Sequence, residues 1–414
     1  MKLGKYSIGI GDRFAHQGKA QLKAVIKAKE KGSDITPVWN KSFREHQIVK
    51  SDPVSTRREA DNAVKSLGWR DNYFVDADHV GLGNIDHFID SSDFFTLDVA
   101  DFIGKNAKQN EVISFVEKYK RFTGNIKIPE IEEEFEISEK YIEAVAKKYL
   151  FAVKEAGKIY RHILTKKHTD SFVVEVSMDE TDEPQTPVEL LFIFAAIADE
   201  GIPAQTIAAK FSGRFNKGVD YVGDLSQFTR EFEQDVAVIN FATNEFALPD
   251  NLKLSVHSGS DKFSIYKPIK NILQKFNAGL HLKTAGTTWL EELIGLAEAG
   301  GIGLEIAKRI YRNAYSRSDE LCKPYASVIS IYAENLPNPH EVDKWDGTTY
   351  AKTLRHDQSQ KLYNSNFRQL LHVAYKIAGE MGKEYLSALK KNEEIVARNV
   401  TENIYDRHLK QLFI

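Results

Sequence analysis

Short apolar runs alternate along this chain with longer amphipathic ones, and the short runs form a series. Lys5–Ile10, Ile35–Asn40, Tyr73–His79, Phe94–Ala100, Ser171–Val176, Ala204–Lys210, Leu252–His257 and Gly279–Thr284 are rich in β-branched and aromatic residues. Each reads as a strand. Between them, helical periodicity covers Gln17–Lys31, Ser55–Leu67, a long stretch about Asn110–Lys166, Pro187–Glu200, Leu225–Asn240, Ile269–Phe276 and Thr287–Ala299. Ser55 stands as the cap of its helix, and Gly32 and Gly201 each stop one. Glu130, Glu132, Glu133 and Glu134 read as a solvated helix face. Beyond residue 300, Ile302–Ser316 and most of Tyr363–Arg398 read as helices, with a Pro/Asn-rich loop at Leu336–Asp346 between them.

Eight strands separated by helices, with polar residues and glycine after the strands, is the pattern of an α/β protein of the (β/α)8 barrel type. The barrel would span residues 1–300. Residues 301–414 would form a helical extension that packs on it and covers its mouth as a lid. An open doubly wound sheet is the alternative, and the absence of a GxGxxG after the first strand weighs against it.

Bulk properties narrow the partners. With 56 basic and 59 acidic residues the net charge is −3, and no Lys/Arg tract suits a nucleic-acid groove. No apolar run approaches a membrane span, and the N-terminus lacks an apolar signal region. The single cysteine, Cys322, excludes an internal disulfide and suits a reducing compartment, so a cytoplasmic location is expected. The oligomeric state is left open.

In a barrel the active site lies where the strands end. This chain offers Asp12 and Arg13, Asn40, then Asp76, Asp78 and His79 there. It also offers Asp98, Glu175, Asp179, Lys210, Arg214, His257, Asp261, His281 and Lys283. Strand parity sorts them. Leu280 and Leu282 oppose His281 and Lys283, Val174 and Val176 oppose Glu175, and Leu254 and Val256 oppose His257. Asp78 joins these inward positions. Three histidines at the ends of the third, seventh and eighth strands, with carboxylates beside them, suit one divalent cation such as Zn, Mn, Ni, Co or Fe. The competing reading is hydrogen-bonded core histidines. His281 is the least secure ligand, and Glu175 or Asp76 could replace it. His16, His46, His87, His162, His168, His340 and His408 fall in helices or loops and read as surface residues. Arg368 and His372 share a helical face, suited to an interdomain contact or to closing over a carboxylate.

At these positions the chain resembles the tagaturonate/fructuronate epimerases of bacterial hexuronate metabolism. The resemblance is carried by KYSIGIGDRFAHQGKAQLKA (5–24), FVDADHVGLGNIDHF (74–88), FVVEVSMDET (172–181), AKFSGRFNKGVDYVGDL (209–225), LSVHSGSDKFSIYKP (254–268), GLHLKTAGTTWLEEL (279–293) and FRQLLHVAY (367–375). It implies a divalent-metal-dependent interconversion of D-tagaturonate and D-fructuronate, which differ at C4. The C4 hydrogen is not α to the C2 ketone, so the resemblance points to retro-aldol cleavage and re-addition. It implies Asp78 as base, Glu175 as acid (with Glu200, behind the sixth strand, as the weaker rival), His79, His257 and His281 as metal ligands, and Lys210 and Lys283 as holders of the carboxylate or oxyanion. Arg13 is expected to bind substrate as well. The alternative is another metal-dependent barrel enzyme acting on ketoses, a class II-type aldolase or a sugar isomerase.

Overall fold

The computed structural model describes residues 1–414 apart from 180, 182 and 285. Its strands are β1 (Tyr6–Gly11), β2 (Ile35–Ser42), β3 (Phe74–Val80), β4 (Phe94–Asp98), β5 (Gly124–Lys127), β6 (Glu134–Ile137), β7 (Val173–Ser177), β8 (Ala204–Ala208), β9 (Lys253–Val256) and β10 (Leu280–Thr284). All but β5 and β6 are parallel and close in the order β1-β10-β9-β8-β7-β4-β3-β2. Closure is direct, since Tyr6 of β1 registers with both Ile35 of β2 and Leu280 of β10. This is a TIM-type barrel, with helices between its strands and a helical C-terminal part.

Side-chain alternation builds the lumen. Leu254, Val256, Leu280 and Leu282 pack outward in the apolar layer under the helices. The lumen is plugged by Leu3, Val38, Phe74, Phe94 and Val173, which form their own small cluster. Elsewhere the lumen is polar, with Ser7, Thr96, Glu175, Thr206, Ser255, His281 and Lys283 all buried.

The regions read as helix or loop needed four corrections. The stretch read as one helix from 110 to 166 is a helix at Gln109–Tyr119, the antiparallel β5–β6 hairpin, and a 29-residue helix at Glu139–Lys167. Glu130, Glu132, Glu133 and Glu134 lie in that hairpin and are exposed. The cap of the second long helix is Asp52, whose side chain accepts from the Ser55 amide, and not Ser55 itself. A short helix, Phe43–Val49, follows β2 and is closed by a Ser42/Glu45 capping box. Tyr363–Arg398 is broken into Ser365–Val373, Tyr375–Met381, Lys383–Lys391 and Glu393–Glu402. Glu180 and Ala285, in the expected polar ends after β7 and β10, lie outside the described residues.

The C-terminal helices share a core with the first strands. Ile8, Ile10, Trp39 and Val75 belong to the same buried cluster as Trp289, Tyr311, Phe367, Tyr385 and Val396. Their packing is close enough that a Cβ on Gly295 would lie 2.7 Å from the Val396 Cα. Among the described residues no helix is long and apolar enough to cross a membrane.

Candidate active site

Lys283 is the centre of the site. Parity on β10 turns it into the lumen, where it is 3% exposed. Its Nζ donates to Asp78 Oδ1 at 2.7 Å, Thr96 Oγ1 at 2.6 Å and Glu175 Oε1 at 2.9 Å, and stands 2.9 Å from Asp76 Oδ2. Burial alone would favour the neutral amine, but the three carboxylates hold the Lys283 pKa well above its ordinary value. The same contacts divide the carboxylates. Burial acts to raise Asp78 and Glu175, yet Lys283 and the adjacent histidines outweigh it and keep both below the usual carboxylate range. Asp76 goes the other way. Burial and the negative charge of Asp78 and Glu175 push it up, so the layer's readiest proton resides there.

The imidazoles sit at the mouth above this layer. His79 has φ 53°, in the left-handed region, where β3 shifts register between Ala77 and Val80. A bulge of this kind re-aims a side chain at a cost in backbone strain. Here it brings the His79 ring to 5.0 Å from that of His257. His79 Nδ1 lies 3.2 Å from Asp98 Oδ2, and its Nε2 lies 3.8 Å from Asp78 Oδ1. His257 Nε2 is 2.7 Å from Glu175 Oε1, and its Nδ1 is 3.1 Å from Asp179 Oδ1. Burial opposes charge on both rings. The carboxylates prevail, chiefly Asp78 for His79 and Asp179 for His257, and raise them to about 9 and about 10. Five carboxylates (Asp76, Asp78, Asp98, Glu175 and Asp179) therefore face Lys283 and two imidazoles held toward the charged form, a set rich in carboxylate oxygen at the barrel mouth.

A cavity of about 250 Å³ opens onto this layer, and Asp78, His79, His257 and Lys283 all line it. Arg13 lines it too, stacked 4.1 Å over the Tyr375 ring and 3.1 Å from Glu45. Lys210 lies outside it, on an adjoining cavity of about 260 Å³ that shares Asp179 and His257 as a wall. Glu200 is far from the mouth and pairs with Lys154 and Arg161. Glu175, expected as the acid, is fully buried and accepts from Thr96, Thr206 and Lys283 while contacting His257. It holds those partners and does not line the cavity. His281 occupies a deeper layer, registered with Ser7 and Ser255, its Nδ1 2.9 Å from Ser7 Oγ and its ring 5.4 Å from Phe94. Burial depresses it to about 3, so it is a neutral imidazole. Among the described residues no three His, Cys, Asp or Glu side chains stand as a ready-made metal shell.

Of the two readings of Arg368, the interdomain contact holds, whereas two histidines depart from their expected places. Arg368 is buried and bonds Asp261 at 3.0 Å, Gly218 O and Leu354 O, which ties the loop after β9 to the C-terminal helices. His46 and His408, read as surface residues, are 2% and 1% exposed, because the short helix after β2 and the final helical turns pack inward. Asp179, Arg44 and Tyr325 also line the cavity. Asp179 was visible as a polar residue after a strand, whereas Arg44 and Tyr325 lie on a short helix and in the extension, where no motif marks them.

A larger cavity, about 820 Å³, lies at the opposite end of the barrel. Lys2 pairs there with Asp250 at 2.8 Å and Lys29 pairs with Asp71, while Lys253 donates to the Gly4 carbonyl.

The tagaturonate epimerase family profile matches residues 1–412. The chain belongs to that family. It is therefore an epimerase, an enzyme of the isomerase class. A curated family relative, the tagaturonate/fructuronate epimerase of Thermotoga maritima, is 28% identical over 422 residues, spanning 98% of this chain and 80% of that one. The native crystal structure of fructuronate-tagaturonate epimerase from Cohnella laeviribosi matches with TM-score 0.80 at 24% identity, over 98% of this chain and 81% of that one. A two-glycerol complex of the same epimerase matches with TM-score 0.80 at 23% identity, over 100% and 83%. At such identities the two crystal structures speak to the fold.

Proposed function

We propose that this epimerase interconverts D-tagaturonate and D-fructuronate at C4 by breaking and remaking the C3–C4 bond, with a divalent cation at the barrel mouth. The observation that carries the reading is the family match across residues 1–412. The chemistry of the mouth supports it.

The C4 hydrogen is not acidic, so inversion needs a bond broken between C3 and C4. Asp78 is the base. Its carboxylate is held ionised and reaches the cavity. It accepts the C4 hydroxyl proton, the C4 oxygen becomes a carbonyl, and the C3–C4 electron pair moves onto the C2–C3 fragment as an enediolate. The aldehyde fragment turns its other face, the bond re-forms, and Asp78 returns the proton to the new C4 oxygen. Lys283, 2.7 Å from Asp78, offsets the negative charge that develops on substrate oxygen. Glu175 and Thr96 fix Lys283, and Glu175 also orients His257.

The donor set fits a divalent metal. His257 Nδ1 is buried without a hydrogen bond, 3.1 Å from Asp179. Asp98 orients His79 as outer carboxylates orient metal-binding imidazoles. His79 and His257, with Asp179 or Asp78, are the residues that would hold the ion, and His281 belongs to the layer below. A bound Mn, Ni, Co, Zn or Fe would polarise the C2 carbonyl and stabilise the enediolate.

The test is an NMR time course with D-fructuronate, using EDTA-treated protein resupplied with single metals. Tagaturonate should appear, vanish with EDTA and return with one metal. No new hexuluronate with Mn, Ni, Co, Zn or Mg would overturn the reading.

A further inference from the structure

Part of the cavity wall comes from outside the barrel strands. Arg44 stands on the short helix after β2, and Tyr325 belongs to the C-terminal extension; both line the cavity that holds Asp78, His257 and Lys283. The Arg44 guanidinium lies 5.0 Å from the centre of the Tyr325 ring. Tyr325 and Tyr375 share a hydroxyl hydrogen bond of 2.8 Å, and Arg13 stacks 4.1 Å over Tyr375. The two arginines thus bracket a tyrosine pair.

Their charges are not equivalent. Arg13 is buried and pairs with Glu45, which also accepts from the Ser42 amide at 3.1 Å. Arg44 is exposed and makes no ion pair among the described residues. A tyrosine face beneath a guanidinium restrains its orientation and leaves its edge free. That edge is the donor fork that a carboxylate takes in a bidentate pair.

A hexuluronate carries its ketone and its carboxylate at opposite ends. At the imidazole end the cavity is already lined by Asp78, Asp98 and Asp179, which occupy His79, His257 and Lys283, so the cations there are taken. We propose that Arg44, backed by Tyr325, receives the terminal carboxylate of the substrate and is the residue through which this site prefers a sugar acid to a neutral ketose. The proposal takes the identity of the sugar from the epimerase reading, whereas the preference for a carboxylate rests on the cavity wall.

Calorimetric titration of D-tagaturonate and D-tagatose, which has a hydroxymethyl group in place of the carboxylate, tests it. Wild type should bind tagaturonate at least about tenfold tighter than tagatose. Arg44→Met should weaken tagaturonate about tenfold or more, the loss of one charge-assisted hydrogen-bonded contact, and leave tagatose unchanged. Equal losses for both sugars, no loss for tagaturonate, or no wild-type preference for the acid each overturn the assignment. Turnover on the same samples separates the two claims. Wild type that binds tagaturonate with the expected preference but does not epimerise it refutes the epimerase reading and leaves the carboxylate site standing.

Discussion

Replacing Lys283 with methionine isolates the charge balance of the buried layer. Methionine keeps length and apolar volume but supplies no ammonium to Asp76, Asp78 and Glu175, which stand 2.7–2.9 Å from it. Removing one partner of a buried ion pair costs about 3–5 kcal/mol, and three carboxylates on one cation place this variant near 5 kcal/mol at pH 8. The loss should depend on pH with a definite sign. Without Lys283 the buried carboxyls have folded pKa values above their unfolded ones, so their stability is present at low pH and lost as pH rises. In the wild type Asp78 and Glu175 are depressed, so their contribution is present above the unfolded pKa and lost on acidification. The gap between the two proteins therefore narrows as pH falls, by about 1.4 kcal/mol per pH unit for each extra proton the variant holds. Urea unfolding followed by tryptophan fluorescence, with Trp39 and Trp289 buried as reporters, measures it from pH 5 to pH 8. A deficit under about 1 kcal/mol, or one that is constant across that range, would refute the account of Lys283 as the main counter-charge of the layer.

Two further changes probe parts of the structure away from the mouth. Gly295→Ala sets a methyl 2.7 Å from the Val396 Cα, so overpacking of about 1–3 kcal/mol should exceed the roughly 1 kcal/mol gained in helix propensity; a higher urea midpoint for the variant would mean the two helices do not meet this closely. Glu59 is pushed up to about 7 by burial and the Asp12 carboxylate, so its stabilisation is present below about pH 4.5 and lost as pH rises through 7, about 3 kcal/mol at most. Glu59→Gln should flatten the pH dependence of the urea midpoint between pH 5 and pH 8, and an unchanged slope would contradict it.

The barrel was legible because its strands alternate. Once Leu280 and Leu282 face the helices, His281 and Lys283 must face the lumen, whatever the other strands do. The β5–β6 hairpin was not legible. Its two strands are only four residues each, and the alternation of Ile126 with Ile128 and of Phe135 with Ile137 is too short to stand out beside the exposed run Glu132–Glu134. His46 and His408 were misplaced for a related reason: in helices and loops, burial depends on what packs above them, and that is not written locally.

By itself, then, the sequence determined the strand series, the inward residues on each strand, and, through its motifs, the family. These are properties of neighbouring residues and of period two along a strand. Only the tertiary structure decided which inward residues share a layer. Parity puts His281, Lys283, Glu175 and Asp78 all inside, but depth in the lumen follows from register around the closed barrel. Register sends His281 down beside Ser7 and Phe94, and the bulge at His79 turns that ring to meet His257. The extension's share of the cavity, Tyr325 beneath Arg44, was decided the same way, by packing between segments that lie far apart in the chain.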